Sequence, residues 1–334
     1  MIDEKTLSQF GIKLEDEFPH VFSEDHEDWN ESYFFDWYDR EGHNAGHCRI
    51  AWHPVQKRVL FWLYIFNGSE WMVIEEYRLP FSELKLNTDK SVFSYSGWGL
   101  AFDYVATAAL NTGKLTVSGF ARVVSGHRQG LVLPVSLNLA FQALGPAHSR
   151  GAGTVENHSA EGFSTNRYEQ PIAAELQLAI DADKYLIDVR GERDHSWGPR
   201  PWDMEWQFFV VNSEHFSLQS TVVNIPDWPT IQMGYYQAAE KEMEHLSKVE
   251  FDLAFDAADP TKAVQGSFSL VCDSGRQISG RIETISGMEI DITHTFATPK
   301  RTEYRRSLVR CFIEGEDAVI GWLECNRQIL KTKK

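Results

Sequence analysis

Several patterns that would assign a function directly are missing from this chain. Its four cysteines (Cys48, Cys272, Cys311 and Cys325) show no Cys-x-x-Cys spacing, which excludes zinc-ribbon and thioredoxin-like sites. No Gly-x-Gly-x-x-Gly, Walker-type or Gly-x-Ser-x-Gly run is present, so a phosphate-binding glycine loop and an α/β-hydrolase nucleophile are excluded as well. We therefore expect reduced thiols that pack as small apolar side chains.

Basic residues and long apolar runs are also scarce. The net charge of -16 argues against nucleic acid or anionic lipid as a partner, because both favour basic surfaces. No apolar run reaches the 18 or so residues of a transmembrane helix. The N-terminal residues 1–6 are acidic where a signal peptide needs a basic and then an apolar stretch, so we predict a cytoplasmic protein.

The chain is long and rich in aromatic residues. Because 334 residues exceed the size at which one core keeps growing, we expect two domains. The 11 Trp, 11 Tyr and 21 Phe either line an apolar pocket or fill a β-sheet core, and composition leaves both possibilities open.

Short strand-like segments separated by turns follow one another from Tyr33 onward. Val59–Phe66 is apolar on both faces, and the turn 67–69 then starts a hairpin. Residues 1–32 are polar and irregular apart from a short helix near 3–10, and 237–246 is the one helical pattern of the second half. With roughly eight strands in each half, the pattern predicts an all-β fold of two antiparallel barrels.

The segment Gly191–Trp202 is the most distinctive stretch, with the sequence GERDHSWGPRPW. It resembles the Asp-His-x-Trp-Gly signature of the lipocalin-like superfamily that includes carotenoid 1,2-hydratases. The segments 30–36 and 320–324 resemble the opening and closing strands of that superfamily. The resemblance implies two tandem lipocalin-like β-barrels, 1–190 and 191–334, with a hydrophobic small molecule bound at or near their junction.

Asp194 and His195 are neighbours, and in an extended chain they point to opposite faces. They therefore do not form a dyad with each other. Asp194 is predicted to pair with Arg193 or Arg200 or to cap backbone groups. His195 is predicted either to transfer protons in a cavity near neutral pH or to have a structural role.

The remaining candidates have structural alternatives of their own. Trp197 and Trp202 either wall a cavity or, with Gly198 and Pro199, form a rigid corner. His294 and Glu324 lie on apolar strand faces, where a carboxylate is paired with an arginine or raised in pKa. Further predicted ligand contacts are Trp322, Tyr235 and Tyr304. His43, His47 and His53 have spacings that fit no regular metal site, so we predict no metal.

The resemblance and the candidate residues lead to two functional hypotheses. The first is a cofactor-independent hydratase, dehydratase or cyclase that uses acid/base chemistry on a hydrophobic, isoprenoid-like substrate. The second is a non-catalytic carrier of a lipophilic molecule. We also expect that, if Arg193, Asp194 and Arg200 form a buried ion-pair corner, Asp194→Asn costs about 3–5 kcal/mol of stability.

Overall fold

A computed structural model describes residues 2–149, 166–199, 204–292 and 302–328 of the chain. In these residues the helical elements are α1 (Glu4–Ser8) and two 3₁₀ turns, Leu14–Glu17 and Phe81–Glu83. The first eleven strands are β1 (Trp29–Tyr38), β2 (Ala45–His53), β3 (Arg58–Phe66), β4 (Trp71–Pro80), β5 (Lys85–Leu86), β6 (Phe93–Gly97), β7 (Leu100–Ala108), β8 (Thr112–Val123), β9 (Val132–Ala143), β10 (Asn166–Ile180) and β11 (Asp183–Pro199).

These strands form one antiparallel sheet in the order β4-β3-β2-β1-β11-β10-β9-β8-β7-β6-β5. The sheet closes on itself, because Met72 of β4 lies opposite Val123 of β8. The closure makes a ring of eight strands, from β4 through β1 and β11 to β8, which we call the first barrel. Barrels with about this number of strands have an interior that side chains or one small ligand can fill.

Aromatic and aliphatic side chains fill the interior of the first barrel. Successive strand residues point to opposite faces, and the inward residues Tyr33, Phe35 and Trp37 of β1 are each 1% exposed. They pack into one apolar cluster with residues from β2 to β11. Much of the aromatic content of this half therefore forms a packed core.

The remaining strands form a second, closed antiparallel barrel in simple sequential order. They are β12 (Glu205–Asn212), β13 (Phe216–Asn224), β14 (Ile231–Ala238), β15 (Glu244–Asp256), β16 (Asp259–Cys272), β17 (Gln277–Glu289), β18 (Thr302–Ile313) and β19 (Val319–Gln328). Phe209, Leu218, Phe268 and Leu323 are part of its apolar core. The predicted all-β fold is confirmed.

The chain divides into two compact units, Met1–Arg200 and Pro201–Lys334. The sequence prediction started the second domain at Gly191. In the structure β11 continues from Asp183 to Pro199 and pairs with both β10 and β1. Residues 191–199 of the distinctive segment therefore belong to the first unit, because their strand pairing is made there.

The helix predicted over 237–246 is wrong. β14 ends at Ala238 and β15 begins at Glu244, with Glu240 in the left-handed region at φ 59° between them. A hydrogen bond from Gln237 Nε2 to the carbonyl of Lys241 (3.0 Å) links the two sides of the turn. The polar helical pattern is overridden here because the flanking strands must reverse direction.

None of the helical elements in the described ranges has the length and apolar character needed to cross a bilayer.

Candidate functional site

The two faces of β11 carry different groups of polar side chains. His195 lies opposite Tyr33 of β1 and Asp194 lies opposite Phe34. Because paired residues of antiparallel strands project to the same side, His195 points into the barrel core with Tyr33, and Asp194 points to the outer face. The prediction that these neighbours face opposite sides agrees with this register.

His195 is fully buried and hydrogen-bonded through both ring nitrogens. Its Nδ1 lies 2.8 Å from the backbone carbonyl oxygen of Asp16, and its Nε2 lies 3.1 Å from Glu31 Oε1. The ring stacks on Tyr33 at a centroid distance of 3.8 Å. The imidazole is therefore held firmly in one orientation.

Glu31 connects His195 to a second histidine, His20. The backbone N–H of His20 donates to both carboxylate oxygens of Glu31 (2.9 and 3.1 Å), and His20 Nδ1 lies 3.0 Å from Oε1. Burial alone would raise the pKa of Glu31, but the hydrogen bonds with His195 and His20 outweigh it and hold this pKa below its usual value. The same carboxylate and Asp16 raise the pKa of His20 against the opposing effect of burial.

Arg193, on the same inner face, forms a buried ion pair with Glu17. Its two terminal nitrogens donate to the two carboxylate oxygens of Glu17 at 2.8 and 2.9 Å, and its Nε donates to Gln170 Oε1 at 2.7 Å. Tyr104 and the backbone N–H of Leu110 also donate to this carboxylate. Burial raises the pKa of Glu17, but the charge and hydrogen bonds of Arg193 outweigh it and leave this pKa lowered.

Of the predicted partners of Asp194, Arg193 is excluded because it lies on the opposite face of β11, and Arg200 lies outside the described residues. Asp194 instead lies 3.6 Å from Arg167 Nη2. The same guanidinium group pairs with Glu169, which lies directly opposite Asp194 in the β10–β11 register. The outer face therefore holds two carboxyl groups with one arginine between them.

Glu169 has the most strongly altered acidity of this outer group. Burial raises the pKa of its carboxyl to about 8, because the charge of Arg167 offsets only part of the desolvation and the nearby Asp194 carboxylate adds repulsion. Its Oε2 is buried and has no hydrogen-bond partner among the described residues. The raised pKa therefore favours the protonated form of Glu169 more than in an ordinary glutamate.

An aromatic and cationic row continues from this carboxyl pair across the outer face. Phe34, Arg49 and Trp62 follow Asp194 in register on β1, β2 and β3. The Arg49 guanidinium lies 4.9 Å from the ring of Trp62, within cation–π range. All three side chains are buried, so the carboxyl pair lies beside aromatic surface that is shielded from water.

The other predicted site residues in or near β11 lie in different surroundings. Trp197 stacks on His20, with ring centroids 3.9 Å apart and planes 7° apart, so it belongs to the histidine cluster. Gly198 has φ 112°, a conformation that favours glycine, which agrees with its predicted structural role. Arg200, Trp202 and His294 lie outside the described residues.

Four candidates lie in the second unit. Glu324 pairs with the buried Arg306 and accepts a hydrogen bond from Trp206 Nε1 (3.1 Å). Of the two predicted alternatives, an arginine partner or a raised pKa, the structure shows the arginine partner. Trp322 lies under the Arg306 guanidinium at 5.0 Å. Tyr304 and Tyr235 are buried, and Tyr304 packs against Trp206. Glu324 and Trp322 therefore contact Arg306, and the roles predicted for these four residues stay predictions.

Asp194→Asn is now expected to change stability little, in contrast to the expectation from the sequence. The Asp194 side chain is 19% exposed and lies 3.6 Å from Arg167, its nearest cation among the described residues, and such partly solvated pairs contribute about 0–1 kcal/mol. Urea denaturation of the variant should show a loss within this range. A loss above about 3 kcal/mol would instead indicate a fully buried pair.

Sequence reasoning missed Asp16, Glu17, His20, Glu31 and Glu169. The first three lie in the polar segment 1–32, which has no strand periodicity to place it. Glu31 did carry a signal, because it alternates with Tyr33 and Phe35 on an otherwise apolar strand face. A carboxylate at such a position needs a buried partner.

Comparisons with known proteins support the fold. A search of curated proteins found no match to this sequence. Among solved structures, NE1406 from Nitrosomonas europaea, assigned as an AttH, matches with a TM-score of 0.62 at 11% identity over 94% of this chain and 96% of that chain. CghA matches with a TM-score of 0.55 at 11% identity, over 92% and 90%.

Kievitone hydratase from Nectria haematococca matches with a TM-score of 0.49 at 12% identity, over 93% of each chain. At such identities, the similarities to NE1406 and CghA establish a shared fold and no shared activity.

A sequence family described as a domain of unknown function, DUF7064, matches residues 13–329. This match spans nearly the whole chain, which therefore belongs to the DUF7064 family.

Proposed function

We propose that the protein is a cofactor-independent hydratase, dehydratase or cyclase that acts by acid/base chemistry on a hydrophobic, isoprenoid-like substrate. The observation that carries the proposal is the Glu169–Asp194 pair. The pKa of Glu169 is raised to about 8, mainly by burial, and its Oε2 has no hydrogen-bond partner among the described residues. Carboxylic acids with a raised pKa serve as proton donors in enzymes that work near pH 7.

Hydration of a carbon–carbon double bond would use both carboxyl groups. Glu169 donates its proton to one alkene carbon, whose π electrons form the new C–H bond and leave a carbocation on the other carbon. A water molecule adds to that carbocation, and Asp194 accepts the proton that the water loses. Transfer of this proton back to Glu169 completes the cycle, so that the net reaction is alkene plus water to alcohol. Dehydration follows the same steps in reverse.

Arg167 positions the two carboxyl groups for this exchange. Its Nη2 lies between Glu169 Oε1 and Asp194 Oδ2 and leaves the other oxygen of each group free of this contact. The side chains of Arg167 and Asp194 are 20% and 19% exposed, whereas Glu169 is 7% exposed. The pair is therefore reached from the Arg167 and Asp194 side, while the acid itself stays desolvated.

The surroundings of the pair favour an apolar, unsaturated substrate. Phe34 is the next residue along the register row, and Trp62 lies two strands further. Aromatic faces attract positive charge, so they stabilise a developing carbocation without reacting with it. Desolvation beside these rings also limits uncontrolled capture of the carbocation by water.

Turnover in oxygen-18 water tests the proposal. Linear isoprenoid alkenes and their tertiary alcohols are incubated with the purified protein, and products are analysed by mass spectrometry. Enzyme-dependent oxygen-18 incorporation, alkene formation or ring closure supports it. A probe that binds tightly with no turnover over the whole panel would support the lipophilic carrier instead.

The raised pKa of Glu169 predicts a pH dependence of stability. The folded protein keeps the Glu169 proton up to about pH 8, whereas the unfolded chain releases it near the usual carboxyl value. The folded state therefore binds more protons between these values, and this group's contribution makes stability fall as pH rises through that window, by about 1.4 kcal/mol per unit of pKa difference.

Glu169→Gln removes this titration while keeping a neutral side chain of the same shape. The free energy of unfolding, measured by urea denaturation from pH 5 to pH 8, should fall less steeply in the variant. The charged groups that influence Glu169, namely Arg167, Asp194 and Asp36, are unchanged in both proteins. Parallel curves would contradict a raised pKa at Glu169.

A further inference from the structure

We propose that His20, Glu31 and His195 form a binding site for one divalent transition-metal ion of the zinc class. This site goes beyond the proposed function, because its strand residues face the interior of the first barrel and the Glu169–Asp194 pair faces outward. One nitrogen from each histidine and one oxygen of Glu31 all lie within 4.8 Å of one another. Two imidazoles and one carboxylate are a donor set that zinc commonly takes.

The hydrogen bonds of His195 determine which nitrogen faces this centre. Nδ1 lies 2.8 Å from the carbonyl oxygen of Asp16, which can only accept, so Nδ1 carries a hydrogen. In the neutral ring Nε2 then has a lone pair, directed at Glu31 Oε1 from 3.1 Å. An ion bound by Nε2 and Oε1 would take the place of the proton that otherwise joins these two atoms in a hydrogen bond.

His20 repeats the arrangement from the other side. Its Nδ1 lies 3.0 Å from the same Glu31 oxygen, while its Nε2 lies 3.7 Å from Asp16 Oδ1. Metal-bound histidines usually direct their outer N–H to a backbone carbonyl or a carboxylate, which fixes the ring and strengthens the inner nitrogen as a ligand. Both rings of this cluster have such an outer oxygen, and both oxygens belong to Asp16.

The spacing suits a small ion after small shifts of the ligand atoms, which all lie within 4.8 Å of one another. Bonds of about 2.1 Å in a tetrahedral site place ligand atoms about 3.4 Å apart, which is a few tenths of an ångström more than the two nitrogen–oxygen distances here. Stacking on Trp197 and Tyr33 keeps the two rings in place. The His20 side chain is 22% exposed, so an ion and a water ligand can enter from that side.

A bound ion would link the segment before β1, which contains His20, to two strands of the first barrel. His20 lies before β1, whereas Glu31 and His195 are residues of β1 and β11. A ligand that binds the folded chain and not the unfolded chain raises stability in proportion to the logarithm of its concentration. Zinc should therefore raise the melting temperature of the metal-free protein.

Cobalt(II) added to chelator-treated full-length protein tests the site, because four- or five-coordinate cobalt absorbs visible light far more strongly than the hexaaqua ion. We expect the absorption to saturate at one ion per chain. His20→Ala should weaken cobalt binding by more than about 100-fold, beyond the loss typical of changes to outer-shell partners, and should abolish the rise in melting temperature with zinc.

His127→Ala is the matched control. His127 is 81% exposed, and its Nδ1 lies 3.0 Å from Glu70 Oε1, the same separation as in the His20–Glu31 contact. This variant should bind cobalt like the wild type. Glu31→Gln, checked for folding by circular dichroism, is the second loss variant.

The proposal would be overturned if cobalt added to the wild type keeps the weak absorption of the hexaaqua ion. It would also be overturned if the His20→Ala and His127→Ala variants bind cobalt with equal affinity. Glu169→Gln should keep full cobalt binding, so failure of the metal site and failure of the proposed function can be told apart.

Discussion

Glu17→Gln is expected to lower the free energy of unfolding by about 3–5 kcal/mol, the cost typical of breaking a buried ion pair. Glu17 and Arg193 are each 1% exposed and share two parallel hydrogen bonds of 2.8 and 2.9 Å. The amide of the variant cannot accept both bonds, and it leaves the guanidinium charge of Arg193 in a desolvated site. Since a domain of this size is stable by only about 5–15 kcal/mol, much of the stability of the first unit should be lost.

Glu15→Gln is the control for this prediction. It changes the same residue type in the same 3₁₀ turn, but the Glu15 side chain is 75% exposed and, among the described residues, pairs with the exposed Lys13. Its effect on the urea midpoint should be within about 0.5 kcal/mol of zero. If both variants unfold at the same urea concentration, the Glu17–Arg193 pair does not stabilise the fold as its geometry indicates.

Glu169→Gln is expected to lower the rate constant of the proposed water addition by a factor of about 10²–10⁴, the usual contribution of a positioned general acid. The amide keeps the volume of the side chain but has no proton to give to a carbon atom. Substrate affinity should change little, because the apolar surface of Phe34 and Trp62 is unaltered. The measurement is single-turnover conversion, with binding of the same probe followed separately by tryptophan fluorescence.

Glu175→Gln controls for the loss of a carboxylate from the same strand. Glu175 is an exposed residue of β10, six register pairs from the Glu169–Asp194 pair, and accepts a hydrogen bond from Gln177. This variant should turn over like the wild type. An active Glu169→Gln protein would remove Glu169 as the proton donor, and an inactive Glu175→Gln protein would show that the loss is not specific to the site.

The sequence by itself determined the fold class and the two-sided character of β11. Alternation of apolar and polar residues is a local property with a period of two, so it predicts strands without knowledge of their partners. The same alternation places Asp194 and His195 on opposite faces, which the register confirms. The helix predicted from the pattern at 237–246 was wrong, because a polar turn between two strands can have the same spacing of apolar residues as a short helix.

Only the tertiary structure decided which groups meet. Arg193 pairs with Glu17, 176 residues away, and His195 meets Glu31, 164 residues away. Asp194, the sequence neighbour that was predicted to pair with Arg193, is excluded because it projects from the other face of the strand. Closure of the barrel places β11 beside β1, and the irregular N-terminal segment then supplies Asp16, Glu17 and His20 to its interior. No local periodicity encodes that encounter, since it depends on strands that are paired across more than 150 residues of chain.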